Sequence, residues 1–289
     1  MLWRLPDIKI APDVIFNIGS FPVTNTLLCT WITIVILVIL CYFGTRKRDI
    51  IPSGIQNLAE WAVESLLGLV ESVAGKGKGR RFFPLVATFF VFILFANLLD
   101  VIPGVDTIGV IANPAAKSHA FLGFLLFDYR YSNQIIPWIR PATSDLNLTL
   151  AMAVVSVVVT QYFGFATLGA KVHLGKYFNF RGPVDFFVGI IEIVSETARI
   201  ISFSFRLFGN IFAGSAVLAV FAFVLPFVAD VAFIPLELFV AFMQAFVFAM
   251  LTLVFMEIAT SSHEVHAEGQ QEAHKEFEHP EAPKATATS

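Results

Sequence analysis

The runs LLCTWITIVILVILCYF (27–43) and FFPLVATFFVFILFANLL (82–99) contain no charged residue. Each is long enough to cross about 30 Å of hydrocarbon as a helix. A backbone in hydrocarbon must satisfy its own N–H and C=O groups, which confines such runs to helices or closed barrels. Their apolar character is continuous rather than alternating, so helices are expected. Further runs lie at 148–170, at roughly 184–225 and at 229–260. The whole chain is 57% hydrophobic and only 14% charged, with a mean hydropathy of +0.77. A soluble domain would carry about 25% charged residues. The reading is therefore an all-α polytopic membrane protein with about five transmembrane helices.

Residues 1–25 read as an external N-terminal segment, 26–260 as a single membrane domain and 261–289 as a disordered acidic cytoplasmic tail. Spans are expected at about 27–43, 82–100, 147–170, 184–225 and 229–260. The first run reads as a retained span, because the mixed charges and prolines of the preceding residues do not resemble a secretory signal. Between the first two spans, at about 53–75, Leu58, Trp61, Ala62, Leu66, Leu69 and Val70 follow helical spacing with Glu60, Glu64 and Glu71 between them. That pattern suits an amphipathic helix lying in the interface. Cys29 and Cys41 both fall in the first span, about 18 Å apart along a helix, beyond disulfide reach.

Orientation follows the basic residues. The 45–81 connection holds seven Lys or Arg, the longer 101–144 connection three, and the short 171–183 connection three. The positive-inside rule then makes 45–81 and 171–183 cytoplasmic, with the N-terminus outside and the C-terminus inside. A helix over 184–225 would be about 63 Å long and one over 229–260 about 48 Å. Neither can stand upright in the bilayer, and Pro226 lies between them. A long, strongly tilted helical hairpin results.

The segment SFSFRLFGNIFAG (202–214) places Arg206 deep in this hairpin, with no acidic residue within nine positions on either side. A guanidinium stays charged at physiological pH, and its placement at mid-membrane costs about 2.5–3.5 kcal/mol or more. At 100° per residue, Glu192, Ser195, Glu196, Arg199, Ser202, Arg206 and Asn210 share about one third of the helix circumference. Glu192, Glu196 and Arg199 either neutralise one another near the cytoplasmic end or serve a polar route. Arg206 has no such partner on its helix, so its counter-charge must lie on another helix or another protein.

Other polar groups cluster toward the outside. Asn97 and Asp100 close the second span, and Asp145 and Asn147 open the third. Glu237 and Gln244 share a face of the last helix. Asp100 and Asp145 are open to a second account, ordinary interfacial solvation. Asn147-Leu148-Thr149 matches a glycosylation sequon but opens a span, out of a transferase's reach. With Glu192, Glu196, Arg199 and Ser202 on the inner half, two polar routes enter from opposite faces and a fixed cation separates them. A continuous polar path would leak ions, whereas a permanent cation blocks it. The cation also favours the ionised form of any carboxylate brought beside it. The missing partner of Arg206 would then be a carboxylate that moves.

The sequence holds no phosphate-binding glycine loop, metal-binding HExxH, paired CxxC or nucleophile–base pair. No cofactor, metal or nucleic-acid partner is expected, and the irregularly spaced tail histidines do not form a metal motif. Two rival classes remain: a secondary transporter binding an anionic substrate at Arg206, and a purely structural scaffold. Transporters of that kind usually show internal repeats, and none is apparent.

At these residues the chain resembles the a subunit of the F-type ATP synthase membrane sector. SFSFRLFGNIFAG is similar to that family's stretch around its essential arginine, and PLELFVAFMQAFVFAMLTLVF to its last helix. NLLDVIP and SDLNLTLAMA match two further stretches, so the likeness covers roughly 82–260. The resemblance implies a proton-translocating stator with no catalytic site of its own, its hairpin lying beside a rotating c-ring. Arg206 would face the ring carboxylate, with Asn210 and Gln244 on the same surface. Glu192 would belong to the inner half-channel, on the half where Ser202 also lies by position, and Asp100, Asp145, Asn147 and Glu237 to the outer one. Implied partners are the c-ring, the peripheral-stalk b subunits, the other ATP synthase subunits and the lipid bilayer. The implied location is an energy-transducing membrane, as in a bacterial plasma membrane. The chain departs from some members in having Ser215 nine positions after the arginine and Glu237 where they carry histidine.

Overall fold

The computed structural model describes residues 11–46, 54–102, 109–111, 135–175, 177, 183–224 and 228–261. The acidic tail beyond Ser261, Pro226, the side chain of Asp100 and most of the 101–144 connection lie outside the described residues. The fold is helical, with α1 (Asn25–Arg46), α2 (Ile55–Val101), α3 (Leu146–Leu168), α4 (Ala170–Gly175), α5 (Pro183–Val224) and α6 (Val228–Thr260). Among the described residues, four helical stretches are long and apolar enough to cross a membrane: Asn25–Arg46, Gln56–Leu99, Leu146–Leu168 and Phe233–Thr260. The remaining long helix, α5, carries the polar stripe.

Two small antiparallel strand pairs accompany the helices, which the all-helical reading did not anticipate. β1 (Val14–Ile18) pairs with β2 (Phe21–Thr24), and β3 (Gly109–Ile111) with β4 (Ile135–Pro137). The first follows from β-branched and aromatic residues flanking Gly19-Ser20. Gly19 takes the positive φ of 63° that a two-residue hairpin turn requires.

The α2 helix is broken at Gly75, whose φ of 74° and ψ of 160° are not helical. The amphipathic segment ends there, and the apolar one begins beyond it. The break brings Arg80 onto Glu71 at 3.1 Å and packs Phe82 and Val86 against Val70 and Ala74. Lys78 meets Glu257 at 3.1 Å and ties the break to the end of α6.

α5 and α6 run antiparallel. Arg199 lies over Phe255, Asn210 bonds Gln244, and Phe221 meets Phe233 in descending register. Phe89, Ile93, Met152, Ala153, Phe203, Leu207, Ala245 and Phe248 form the core shared by α2, α3, α5 and α6. Lipid is as apolar as these side chains, so close packing and buried hydrogen bonds must hold the helices together. Buried alanines permit that approach, and Thr149–Ser204 (3.2 Å) and Ser156–Thr252 (2.9 Å) bond across the seams. α1 stands at the edge, burying only Asn25, Thr26, Cys29 and Thr33 while Trp31, Val35, Val38 and Ile39 stay exposed. Cys29 is buried and Cys41 exposed, and neither is in a disulfide.

Candidate functional site

The buried face of α5 carries Phe203, Ser204, Leu207 and Ile211. The polar stripe is rotated away from it. Ser202, Arg206 and Asn210 are exposed on the open edge of the α5–α6 hairpin, flanked by exposed Phe205, Phe239 and Met243. Among the described residues Arg206 has no ion-pair partner. A charged side chain among apolar neighbours, with no counter-ion among the described residues, is a surface made to meet something else. Gly209 and Gly214 on the same helix have nothing within 4 Å of where a side chain would begin.

A cavity of about 330 Å³ lies beside Arg206, lined by Asn210, Phe239, Met243 and Gln244. The Asn210 amide donates to Gln244 Oε1 at 2.6 Å, joining the two helices at the level of the cavity. Gln244 is buried, and its own Nε2 has no hydrogen-bond partner among the described residues. A buried donor of that kind calls for water or a ligand group. A second cavity, of about 230 Å³, opens on the other side of Asn210 and is lined by Asn97, Gly214, Ser215, Phe233 and Glu237. Asn97 is buried, accepts from the Thr143 hydroxyl at 2.5 Å, and has a second unpartnered amide nitrogen, Nδ2. Ser215 and Glu237 both line this cavity, and the Ser215 hydroxyl donates to Phe212 O of its own helix at 3.1 Å.

The structure therefore gathers Arg206, Asn210, Gln244 and Glu237 along one hairpin edge. Glu192 lies about 21 Å before Arg206 along α5, and Glu237 about 10 Å before Gln244 along α6. The antiparallel register places these two carboxylates on opposite sides of the arginine. Asp145 and Asn147 stand apart, at the start of α3. Asp145 caps that helix, accepting from Asn147 N at 2.9 Å and from the Thr26 hydroxyl at 3.0 Å. Asn147 itself is exposed. Asp100 falls in the last turn of α2, with its side chain outside the described residues.

The mutual pairing considered for Glu192, Glu196 and Arg199 is not the arrangement adopted. Arg199 lies 3.8 Å from the Phe255 ring centroid, and Glu196 bonds instead to Gln161 and Tyr177. His173, in the 171–183 connection, completes this second cluster. Sequence reasoning passed over it because its members come from three helices and the turn after α4. The usable signal was a glutamine on the inner half of α3.

The ATP synthase A chain family matches residues 27–257. The chain belongs to that family. It is 31% identical to ATP synthase subunit a of Moorella thermoacetica over 247 residues, covering 86% of this chain and 95% of that one. It is 32% identical to ATP synthase subunit a of Campylobacter jejuni over 235 residues, covering 80% and 88%. For ATP synthase subunit a of Helicobacter hepaticus the identity is 31% over 240 residues, covering 82% and 90%. Proton transport and ATP synthesis are the work of this family, and the chain is a multi-pass membrane member of it.

Proposed function

We propose that the chain is the proton-translocating stator subunit of an F-type ATP synthase. Two offset half-channels in it load and unload the carboxylates of a rotating c-ring and so couple proton flow to ATP synthesis. One observation carries the reading: an exposed Arg206 on the hairpin edge with no ion-pair partner among the described residues, a cavity beside it, and a second cavity beyond Asn210 toward Glu237. In this account the outer route runs past Glu237, Ser215, Asn97 and Asn210, with Asp100, Asp145 and Asn147 at its rim. The inner route runs past Ser202 and Glu192. Arg206 stands between them as a fixed cation that a passing ring carboxylate must meet ionised.

The uncovered Gly209 and Gly214 let a ring helix approach closely, as small residues do at membrane interfaces. Gln244 Nε2 supplies a hydrogen-bond donor to the arriving carboxylate. No bond chemistry is assigned to the chain itself; ATP is made elsewhere in the complex. The exposed outer faces suit lipid and the b subunits of a peripheral stalk, with the N-terminus outside and the C-terminus in the cytoplasm.

The test is ATP-driven acidification of inverted membrane vesicles carrying the whole complex, native against Arg206→Ala at matched assembly. Loss of pumping with the complex intact is the expected result. Survival of pumping would make Arg206 a structural charge and overturn the reading.

A further inference from the structure

Glu196 sits one helical turn beyond Glu192 on the same stripe, toward Arg206, and is half-buried. Its Oε1 accepts from the Gln161 amide of α3 and, at 2.6 Å, from the hydroxyl of Tyr177. Gln161 Oε1 in turn lies 2.5 Å from His173 Nε2 and 3.1 Å from the Tyr177 hydroxyl. An amide oxygen only accepts, so the imidazole contributes Nε2–H and the Gln161 amide nitrogen is left pointing at Glu196. Every donor in the cluster is thus directed, at first or second remove, toward one carboxylate oxygen.

The cluster is built into the fold. Gly169, with φ of 80°, ends α3 and turns the chain into α4, which returns His173 to the α3 surface. His173 is 1% exposed and rests on Phe165, with ring centroids 4.4 Å apart. It fits only because residue 164 is glycine, since a side-chain carbon there would collide with the imidazole. Burial first, and then the Glu196 carboxylate, push the Tyr177 phenol well above its ordinary range, so it remains a donor at physiological pH. The groups facing Glu196 are Gln161 from α3, Tyr177 from the turn and, on its own helix, Glu192. Arg199 is turned away onto Phe255.

One oxygen of Glu196 is therefore anchored, while the other, Oε2, has no hydrogen bond among the described residues. A carboxylate fixed at one oxygen and open at the other is suited to taking up and releasing a proton. We propose that Glu196 is a proton-exchange group of the inner half-channel, held in position by Tyr177, Gln161 and His173. The proposal rests on the stator reading above. In the exchange, an O–H bond of a neighbouring protonated water or of a protonated Glu192 carboxyl breaks as one forms at Glu196 Oε2, leaving neutral water or the Glu192 carboxylate. The proton then leaves to water on the far side, and Glu196 returns to carboxylate. Tyr177, Gln161 and His173 are positioning residues: they lose no proton but fix which oxygen is available.

The test is potential-driven proton conduction through the complete membrane sector in vesicles stripped of the catalytic sector, measured across pH with ring retention checked for every variant. Glu196→Gln is expected to slow conduction about tenfold, the low side of what a positioned acid–base group contributes. Glu196→Asp should restore part of the rate. Tyr177→Phe removes a donor from the carboxylate. A carboxylate deprived of a donor holds its proton to higher pH, so the midpoint of the pH profile should move upward with only a two- to threefold change in maximal rate, about 0.5 kcal/mol. Native conduction in Glu196→Gln would overturn the proposal, as would slowing without aspartate rescue and with an unmoved Tyr177→Phe profile. If Arg206→Ala, tested alongside for ATP-driven pumping, pumps normally, the stator reading itself fails. Loss in Arg206→Ala with native behaviour in Glu196→Gln removes only Glu196.

Discussion

The α5 helix has two polar sides that differ in one respect. On the side facing α3, Ser204 shares a hydrogen bond with Thr149, and the neighbouring seam is closed by Ser156 and Thr252. On the side facing outward, Ser202, Arg206 and Asn210 stand open, and Arg206 has no ion-pair partner among the described residues. The residues are close in sequence and both sides lie in apolar surroundings, so hydropathy alone does not separate them. What separates them is an unanswered charge: the seam hydroxyls answer one another and Asn210 is answered by Gln244, but Arg206 has no ion-pair partner among the described residues. A closed seam is polar for the sake of helix association. An open stripe is polar for the sake of something that arrives.

The comparison can be broken most forcefully at the open side. Arg206→Ala should reduce ATP-driven proton pumping by about 100-fold or more, the scale seen when one preorganised electrostatic group is removed. Its effect on the stability of the subunit should be near zero, because no ion pair among the described residues is lost. Thermal unfolding in detergent beside the pumping assay checks both halves; a destabilised protein that pumps would reverse the assignment. The closed side should answer in the opposite sense. Ala153 is fully buried between helices, and Ala153→Leu should cost about 1–3 kcal/mol through overpacking. Less complex should assemble, while the rate per assembled complex stays native. A reduced rate per complex would show that the seam is not merely structural.

A finer cut separates groups within the open side. Gln244→Leu removes the acceptor of the 2.6 Å bond from Asn210 and the free Nε2 donor at the Arg206 cavity. Pumping is expected to fall about tenfold, in line with a hydrogen bond to a charged group. Gln244→Asn, which keeps an amide but shortens its reach, should fall between the two. If leucine is tolerated, the cavity beside Arg206 does not need an amide, and Arg206 alone defines the open side.

Much of this was legible in the sequence because membrane burial makes polar residues conspicuous. Arg206 stood out without any structure, as did the Glu237–Gln244 face and the two long helices too long to stand upright. The seam hydroxyls were not legible. Thr149, Ser156, Ser204 and Thr252 are polar enough to bond and apolar enough to pass unnoticed, so only their pairing across helices reveals them. The Glu196 cluster was hidden for a different reason. Its members come from α3, α4, the following turn and α5, and nothing local to Gln161 or His173 announces that a glycine at 164 makes room for the imidazole. The β1–β2 hairpin was missed because a membrane reading draws attention to long runs, while Gly19-Ser20 is a local turn signal.

The smallest effect tests the sealed seam by itself. Ser156 and Thr252 are each buried and face each other at 2.9 Å, with Thr252 also bonding its own helix through Phe248 O. Ser156→Ala and Thr252→Val delete one hydroxyl each at nearly constant volume. Membrane hydrogen bonds between helices average about 0.6 kcal/mol in double-mutant cycles, because the unfolded helices find other partners in the membrane. The coupling energy from unfolding the native, single and double variants should therefore be near that value, and proton conduction should not change. Zero coupling with slower conduction would move this pair to the open set. The seam would then serve the proton route as well as helix association.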